Sequence, residues 1–188
     1  MTDLSILHAR GLDEFTRLVQ AITPEQWKAP TPCTEWDVRE LINHLTVEQL
    51  WAPDVIAGRT IAEVGDRYEG DQLGADPVAA WEGAAAGSRA AFGAKDALLG
   101  AVHLSYGDAA ASHYVGEMTV DMIVHSWDLA RAIGADERLD DELVGYALEQ
   151  GIARGSSLVD SGYFAAPVRV PVDADNQTKM LAIYGRAA

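Results

Sequence analysis

Apolar residues recur at helical spacing along most of the chain, and that pattern predicts its elements. Leu4, Leu7, Leu12, Phe15, Leu18 and Val19 fall on one face of a helix near 4–21, with His8 at the edge of that face. Thr23-Pro24-Glu25-Gln26 reads as a cap, a first-turn proline and a capping-box glutamine that start a short turn carrying Trp27. A second helix is expected near 35–52, capped by Thr34, with Val38, Leu41, Ile42 and Leu45 inward and Pro53 near its end. Asp76-Pro77 opens a third near 77–95, rich in alanine and anchored by Trp81 and Phe92. A fourth spans about 109–133 and is closed by Gly134; shorter ones follow near 141–154, after Asp140, and near 176–184, after Asp175. Between them lie a glycine- and charge-rich connection from Gly58 to Ala75 and an apolar crossover from Leu98 to Tyr106 with at most one short strand. A proline-containing tail from Phe164 to Val172 should run extended around the bundle. The fold class is therefore all-α: one domain over 1–188, a four-helix bundle with extra C-terminal helices and an extended tail.

The fourth helix breaks the amphipathic rule, because it is apolar on nearly every side. Within Asp121-Met122-Ile123-Val124-His125-Ser126-Trp127-Asp128, an acid and a histidine stand four residues apart and project from one side, one turn apart. A buried Asp and His must be paired, hydrogen-bonded or metal-bound, since each is costly to desolvate alone. Asp121, His125 and Asp128 can share a face; His113 cannot join His125, because successive four-residue steps drift by about 40° each. The second helix carries His44 among its apolar positions. Two imidazoles and a carboxylate from two helices would make a three-ligand site with an open position, as catalytic zinc uses and as non-haem iron or nickel accepts. Spacing alone leaves three readings open: a metal site, a structural polar pair and a metal-free His–Asp general base.

Composition narrows the function classes. A net charge of −15 on 188 residues argues against binding a nucleic-acid backbone. No apolar run approaches the roughly 20 residues of a membrane span, and the N-terminus lacks a signal-peptide pattern. The single cysteine cannot form an internal disulfide, which points to the cytoplasm. No phosphate loop, dinucleotide fingerprint, nucleophile elbow or paired-cysteine motif occurs.

Two stretches carry a family resemblance. Thr31-Pro32-Cys33-Thr34-Glu35-Trp36-Asp37-Val38-Arg39-Glu40-Leu41-Ile42-Asn43-His44-Leu45 resembles the N-terminal signature of the DinB-like superfamily, on its mycothiol-dependent maleylpyruvate isomerase-like branch. Val124-His125-Ser126-Trp127-Asp128-Leu129-Ala130-Arg131-Ala132 resembles that branch's second signature, and the tail from Val168 to Arg186 is similar to a metal-binding subgroup. The resemblance implies a divalent metal, zinc first with nickel or iron as alternatives, held by His44, Asp121 and His125. It also implies mycothiol as cosubstrate and a small electrophile as second substrate. Asp121 stands where the isomerase has Glu, and the isomerase carries a further C-terminal domain for which this sequence is expected to leave no room.

The expected function is therefore a metal-dependent S-transferase or isomerase using a mycothiol-type thiol. The alternative is a non-catalytic metal-binding bundle with a structural or stress-related role. Asp128 would hold a ligand histidine in its tautomer or tie helix ends together, and Arg131 would contact the thiol or substrate. Cys33 is either a packing residue or a thiolate at a helix start, and Trp36 and Trp127 are core anchors. His103, His113 and Glu117 are reserve ligands, and a second copy of the chain is kept as a candidate partner.

Overall fold

The computed structural model describes residues 3–155, 158 and 164–187. Its helices are α1 (Leu4–Gln20), α2 (Val38–Ile56), α3 (Ile61–Val64), α4 (Pro77–Gly93), α5 (Ala111–Ile133), α6 (Asp141–Arg154) and α7 (Asn176–Ile183). The remaining regular structure is a two-stranded antiparallel hairpin, β1 (Ala101–Leu104) and β2 (Gly107–Ala110), with single turns at Gln26–Lys28 and Ala97–Leu99. The all-α expectation holds.

Helices adjacent in sequence are not the main packing partners. Both α4 and α5 pack along α1 and α2, which places α1 and α2 at opposite corners of the bundle. Three apolar clusters meet on α5. Met122 and Leu129 face Leu12, Phe15, Leu41 and Trp81. Ile123 and Trp127 face Leu143, Ala147, Leu181 and Tyr184 of α6 and α7. Tyr114 and Met118 face Val55, Phe92 and Val102 near the hairpin. Packed on three sides, α5 needs no polar outer face, which explains its nearly continuous apolar sequence.

Several local features differ from the sequence reading. The α2 cap is Asp37, not Thr34: Asp37 Oδ1 accepts the Glu40 N–H at 2.9 Å and Glu40 Oε2 accepts the Asp37 N–H at 2.8 Å, a complete capping box. Residues 31–36 fold as a loop instead, pinned by Thr31, whose hydroxyl accepts from the Cys33 N–H at 3.1 Å and donates to the Trp36 carbonyl at 2.8 Å. At its other end α2 runs through Pro53 to Ile56. Proline forfeits one helical hydrogen bond there, while Ala52 and Val55 on either side stay fully or almost fully buried.

The Leu98–Tyr106 crossover is part of a hairpin whose second strand, Gly-Asp-Ala-Ala, has no alternation to announce it; α5 consequently starts at Ala111 rather than 109. His8, expected at a face edge, is fully buried between α1 and α4 with its ring edge-on to Phe92. The tail returns to the bundle as expected: the Val168 N–H donates to the Ala182 carbonyl at 2.9 Å, and Phe164 packs on Tyr184.

Candidate metal centre

Two helices and a loop supply the polar groups of one cluster. His44 lies two turns into α2, Asp121 and His125 lie one turn apart on α5, and the 31–36 loop lays Trp36 over them. His44 Nε2 is 3.1 Å from Asp121 Oδ2, and His125 Nε2 is 3.4 Å from Asp121 Oδ1. One ligating atom from each of the three residues lies within 4.8 Å of the others. Ligands about 2.0–2.1 Å from a tetrahedral ion stand about 3.3–3.4 Å apart, so this donor set fits a divalent metal in composition and spacing. The His44 and Asp121 side chains are 27% and 26% exposed while that of His125 is 6% exposed, so one side of the triad opens outward.

Behind the triad lies a second polar layer. Asp128 is fully buried and accepts from Arg186 Nε at 3.0 Å and Nη2 at 2.8 Å. Its Oδ2 stands 2.9 Å from His125 Nδ1. An ionised carboxylate clamped by a guanidinium is an acceptor only, so Nδ1 of His125 carries a proton, and Nε2 faces Asp121 as the position for a second proton or a metal. A bare nitrogen facing an ionised carboxylate at 3.4 Å is unfavourable unless a cation or a second proton lies between them.

The titration shifts carry the same message. Burial would raise Asp121, but the charges and hydrogen bonds of His125 and His44 hold it well below the usual carboxylate range. Burial would lower His125, yet Asp121, Asp128 and Cys33 together hold it well above an ordinary histidine. Asp128 stays below its ordinary value because His125 and Arg186 outweigh its burial.

Cys33, His125 and Asp128 form a second group close enough to hold a metal. Arg186 already fills that position. Its Nη2 donates to Cys33 Sγ at 3.0 Å and to Asp128, and the thiol donates to Asp128 Oδ2 at 3.3 Å. A guanidinium among the donors repels a cation, so the His44–Asp121–His125 group is the better site.

The open side of the triad faces a cavity of about 870 Å³. Trp51, Val55, Ile61, Leu104, Tyr114 and Met118 form its apolar wall. Glu48, one turn beyond His44 on α2, also lines it, and burial followed by the charge of Asp121 pushes its carboxyl pKa up.

Several residues singled out from sequence lie elsewhere. Arg131 is not on the cavity: it pairs with Glu137 at 2.8 Å, donates to the Ala187 carbonyl at 2.8 Å and stacks over Trp127 at 4.2 Å. The guanidinium at the centre is Arg186. It is delivered from the far end of the chain because Gly185 turns back with φ +77° after α7, and the Arg186 N–H caps the Leu181 carbonyl at 2.8 Å. His103 pairs with Asp108 across the hairpin, and His113 lies 3.4 Å from Glu117 on the outer side of α5. Glu117 itself is engaged by Arg154 and Tyr106. Trp127 is a core anchor, but Trp36 is only half-buried, because its ring is a cover over His44 at 4.7 Å and His125 at 5.8 Å. Of the groups that the sequence reading passed over, Glu48 had a legible signal in its four-residue spacing from His44. Arg186 had none beyond its place in the tail.

Comparison with known proteins decides the family. Residues 8–130 match the family described as mycothiol maleylpyruvate isomerase N-terminal domain. The chain belongs to that family. Two uncharacterized proteins of Mycobacterium tuberculosis, from strains CDC 1551 / Oshkosh and ATCC 25618 / H37Rv, are each 33% identical over 145 residues, covering 75% of this chain and 73% of theirs. No solved structure matches significantly. Membership makes this a DinB-like, mycothiol-related domain of a metal-dependent family, with two groups of candidate ligands in place. No helix among the described residues is long and apolar enough to cross a membrane.

Proposed function

We propose that the protein is a divalent-metal-dependent thiol transferase or isomerase, in which His44, Asp121 and His125 hold zinc or a similar ion and a mycothiol-type thiol attacks a small electrophile. The observation that carries this reading is the convergence of the three donors, with one face open to a cavity of about 870 Å³. An ion in that position would lower the pKa of a bound thiol so that the nucleophilic thiolate forms near neutral pH.

The chain's own groups perform the remaining tasks. Asp128, fixed by Arg186, keeps the His125 proton on Nδ1 and so keeps Nε2 available. Trp36 covers one side of both imidazoles and limits water there. Glu48 stands on the same side of α2 as His44 and faces the cavity, where it can pass a proton between the thiol and the product. The cytoplasm, with its supply of low-molecular-weight thiol, is the compartment that suits this chemistry.

A non-catalytic metal-binding bundle is the second reading, and the open, cavity-facing side of the triad favours the enzyme. Metal analysis of the purified protein and turnover of mycothiol with a panel of electrophiles test the two. About one equivalent of metal per chain, together with turnover that disappears in His44→Ala, is expected for a mononuclear site. Metal without any turnover above the His44→Ala background would leave only the structural role.

A further inference from the structure

A second, smaller cavity of about 290 Å³ lies between α5 and α6, at the small end of the range of ligand sites, about 300–1,000 Å³. Ser112, His113 and Glu117 line it from α5, and Tyr146, Gln150 and Arg154 from α6. A glycine makes room for it. A Cβ on Gly116 would stand 2.8 Å from the Tyr146 hydroxyl, so a residue that is otherwise poor within a helix lets the phenol reach across to α5. The space is polar but holds no excess charge: Glu117 and Arg154 are paired across it, and His113 Nε2 lies 3.4 Å from the same carboxylate. Among the described residues, the side chains of Tyr146, Gln150 and Ser112 make no hydrogen bond to protein, so water serves them until a ligand does. A hydroxyl and an amide each both donate and accept. An anion placed here would face Glu117, and a cation would face Arg154. An uncharged ring carrying several hydroxyls matches the mixture, and the half-buried ring of Tyr146 offers apolar area to its C–H face.

The small cavity adjoins the large one, since Glu117, Val120 and Arg154 line both. Glu117 and Asp121 stand four residues apart on α5, about 6 Å along its axis. A ring held against Glu117 is therefore one turn from the triad, a distance that a cysteinyl arm spans. We infer that the smaller cavity is the subsite for an uncharged, polyhydroxylated ring joined through such an arm to the thiol of the proposed reaction, with Tyr146 and Gln150 hydrogen-bonding the ring's hydroxyls. What the ring is attached to rests on that reaction; recognition of the ring rests on the small cavity alone.

Calorimetric titration of three probes into the full-length, zinc-treated protein, with no electrophile present, tests the inference. The first is N-acetylcysteine joined by an amide to glucosamine. The second carries a cyclohexyl ring in place of the sugar, and the third is N-acetylglucosamine, the sugar without the thiol arm. The first should bind at least about fivefold more tightly than either of the others. Tyr146→Phe and Gln150→Leu, both half-buried positions outside the triad, should each weaken the first probe by about threefold or more while changing the cyclohexyl probe by less than about twofold. A sugar thiol that binds no better than the cyclohexyl thiol, or variants that leave its advantage intact, overturns the inference. So does N-acetylglucosamine binding as tightly as the sugar thiol, because the ring would then be recognised without the arm. Failure of the enzyme reading shows up separately, as absent turnover once electrophiles are added, with both binding preferences intact.

Discussion

At the scale of single residues, the centre depends on which nitrogen of His125 carries the proton. Its ring lies between two carboxylates, Asp121 on the cavity side and Asp128 on the buried side. Only Asp128 is locked by a guanidinium, so it takes the role of acceptor and Asp121 is left to share a cation with Nε2. Asp128→Asn keeps the size of the side chain and removes its charge. The amide can then present a donor to Nδ1, favour the other tautomer and place a proton where the metal needs a lone pair. Zinc affinity, measured by competition with a chelator, should fall by about 10–100-fold. Retention of wild-type affinity would mean that Arg186 and Asp128 merely tie the C-terminal segment to α5.

At the scale of elements, close approach between helices positions the parts. The α6–α7 contact is close at Gly151, where an added Cβ would lie 2.7 Å from Ile183 Cγ2 and 3.2 Å from the Tyr184 hydroxyl. Tyr184 is fully buried and donates to the Ala147 carbonyl at 2.9 Å, and two residues later comes Arg186. Alanine favours a helix interior by about 1 kcal/mol over glycine, yet overpacking a fixed contact costs about 1–3 kcal/mol. The second effect should win, because both neighbours are themselves packed. Gly151→Ala is expected to lower the urea midpoint, with a loss of about 1–2 kcal/mol in unfolding free energy. A more stable variant would show that α7 can slide away at little cost. It would then also weaken the argument that α7 fixes Arg186.

At the scale of the whole molecule, a buried histidine couples stability to pH. His8 is completely buried where α1 meets α4, beside Gln49 of α2, and neither ring nitrogen has a well-formed hydrogen bond among the described residues. Burial is the main reason its pKa drops from 6.5 to about 4, with the Gln49 amide opposing and the charge of Arg89 adding to the fall. In the unfolded chain the value returns to about 6.5. Between those values the unfolded state binds a proton that the folded state does not, so the contribution is intact above pH 6.5 and is lost as pH falls towards 4. The loss amounts to about 3 kcal/mol over the full window. His8→Leu should flatten that part of the stability–pH curve relative to wild type in urea titrations. An unchanged slope would assign the acid sensitivity to the carboxylates instead.

Local patterns were enough to read the number of long helices, most of their limits and the Asp121–His125 pairing, because apolar periodicity and an i,i+4 spacing are properties of one helix. The caps at Asp76, Asp140 and Asp175 followed for the same reason: each bonds within its own first turn. Sequence also marked His44 as a polar residue on an apolar face, but the family resemblance, not spacing, joined it to α5. What only the tertiary structure decided depends on groups distant along the chain. Arg186 reaches Asp128 across 58 residues and Cys33 across 153, contacts that no periodicity encodes. Arg131 looked equally suited, yet its place on α5 turns it outward to Glu137. The cover formed by Trp36 and the raised carboxyl of Glu48 likewise emerge only when separate segments share one space. Burial, and with it the strength of each charge, is set by that packing.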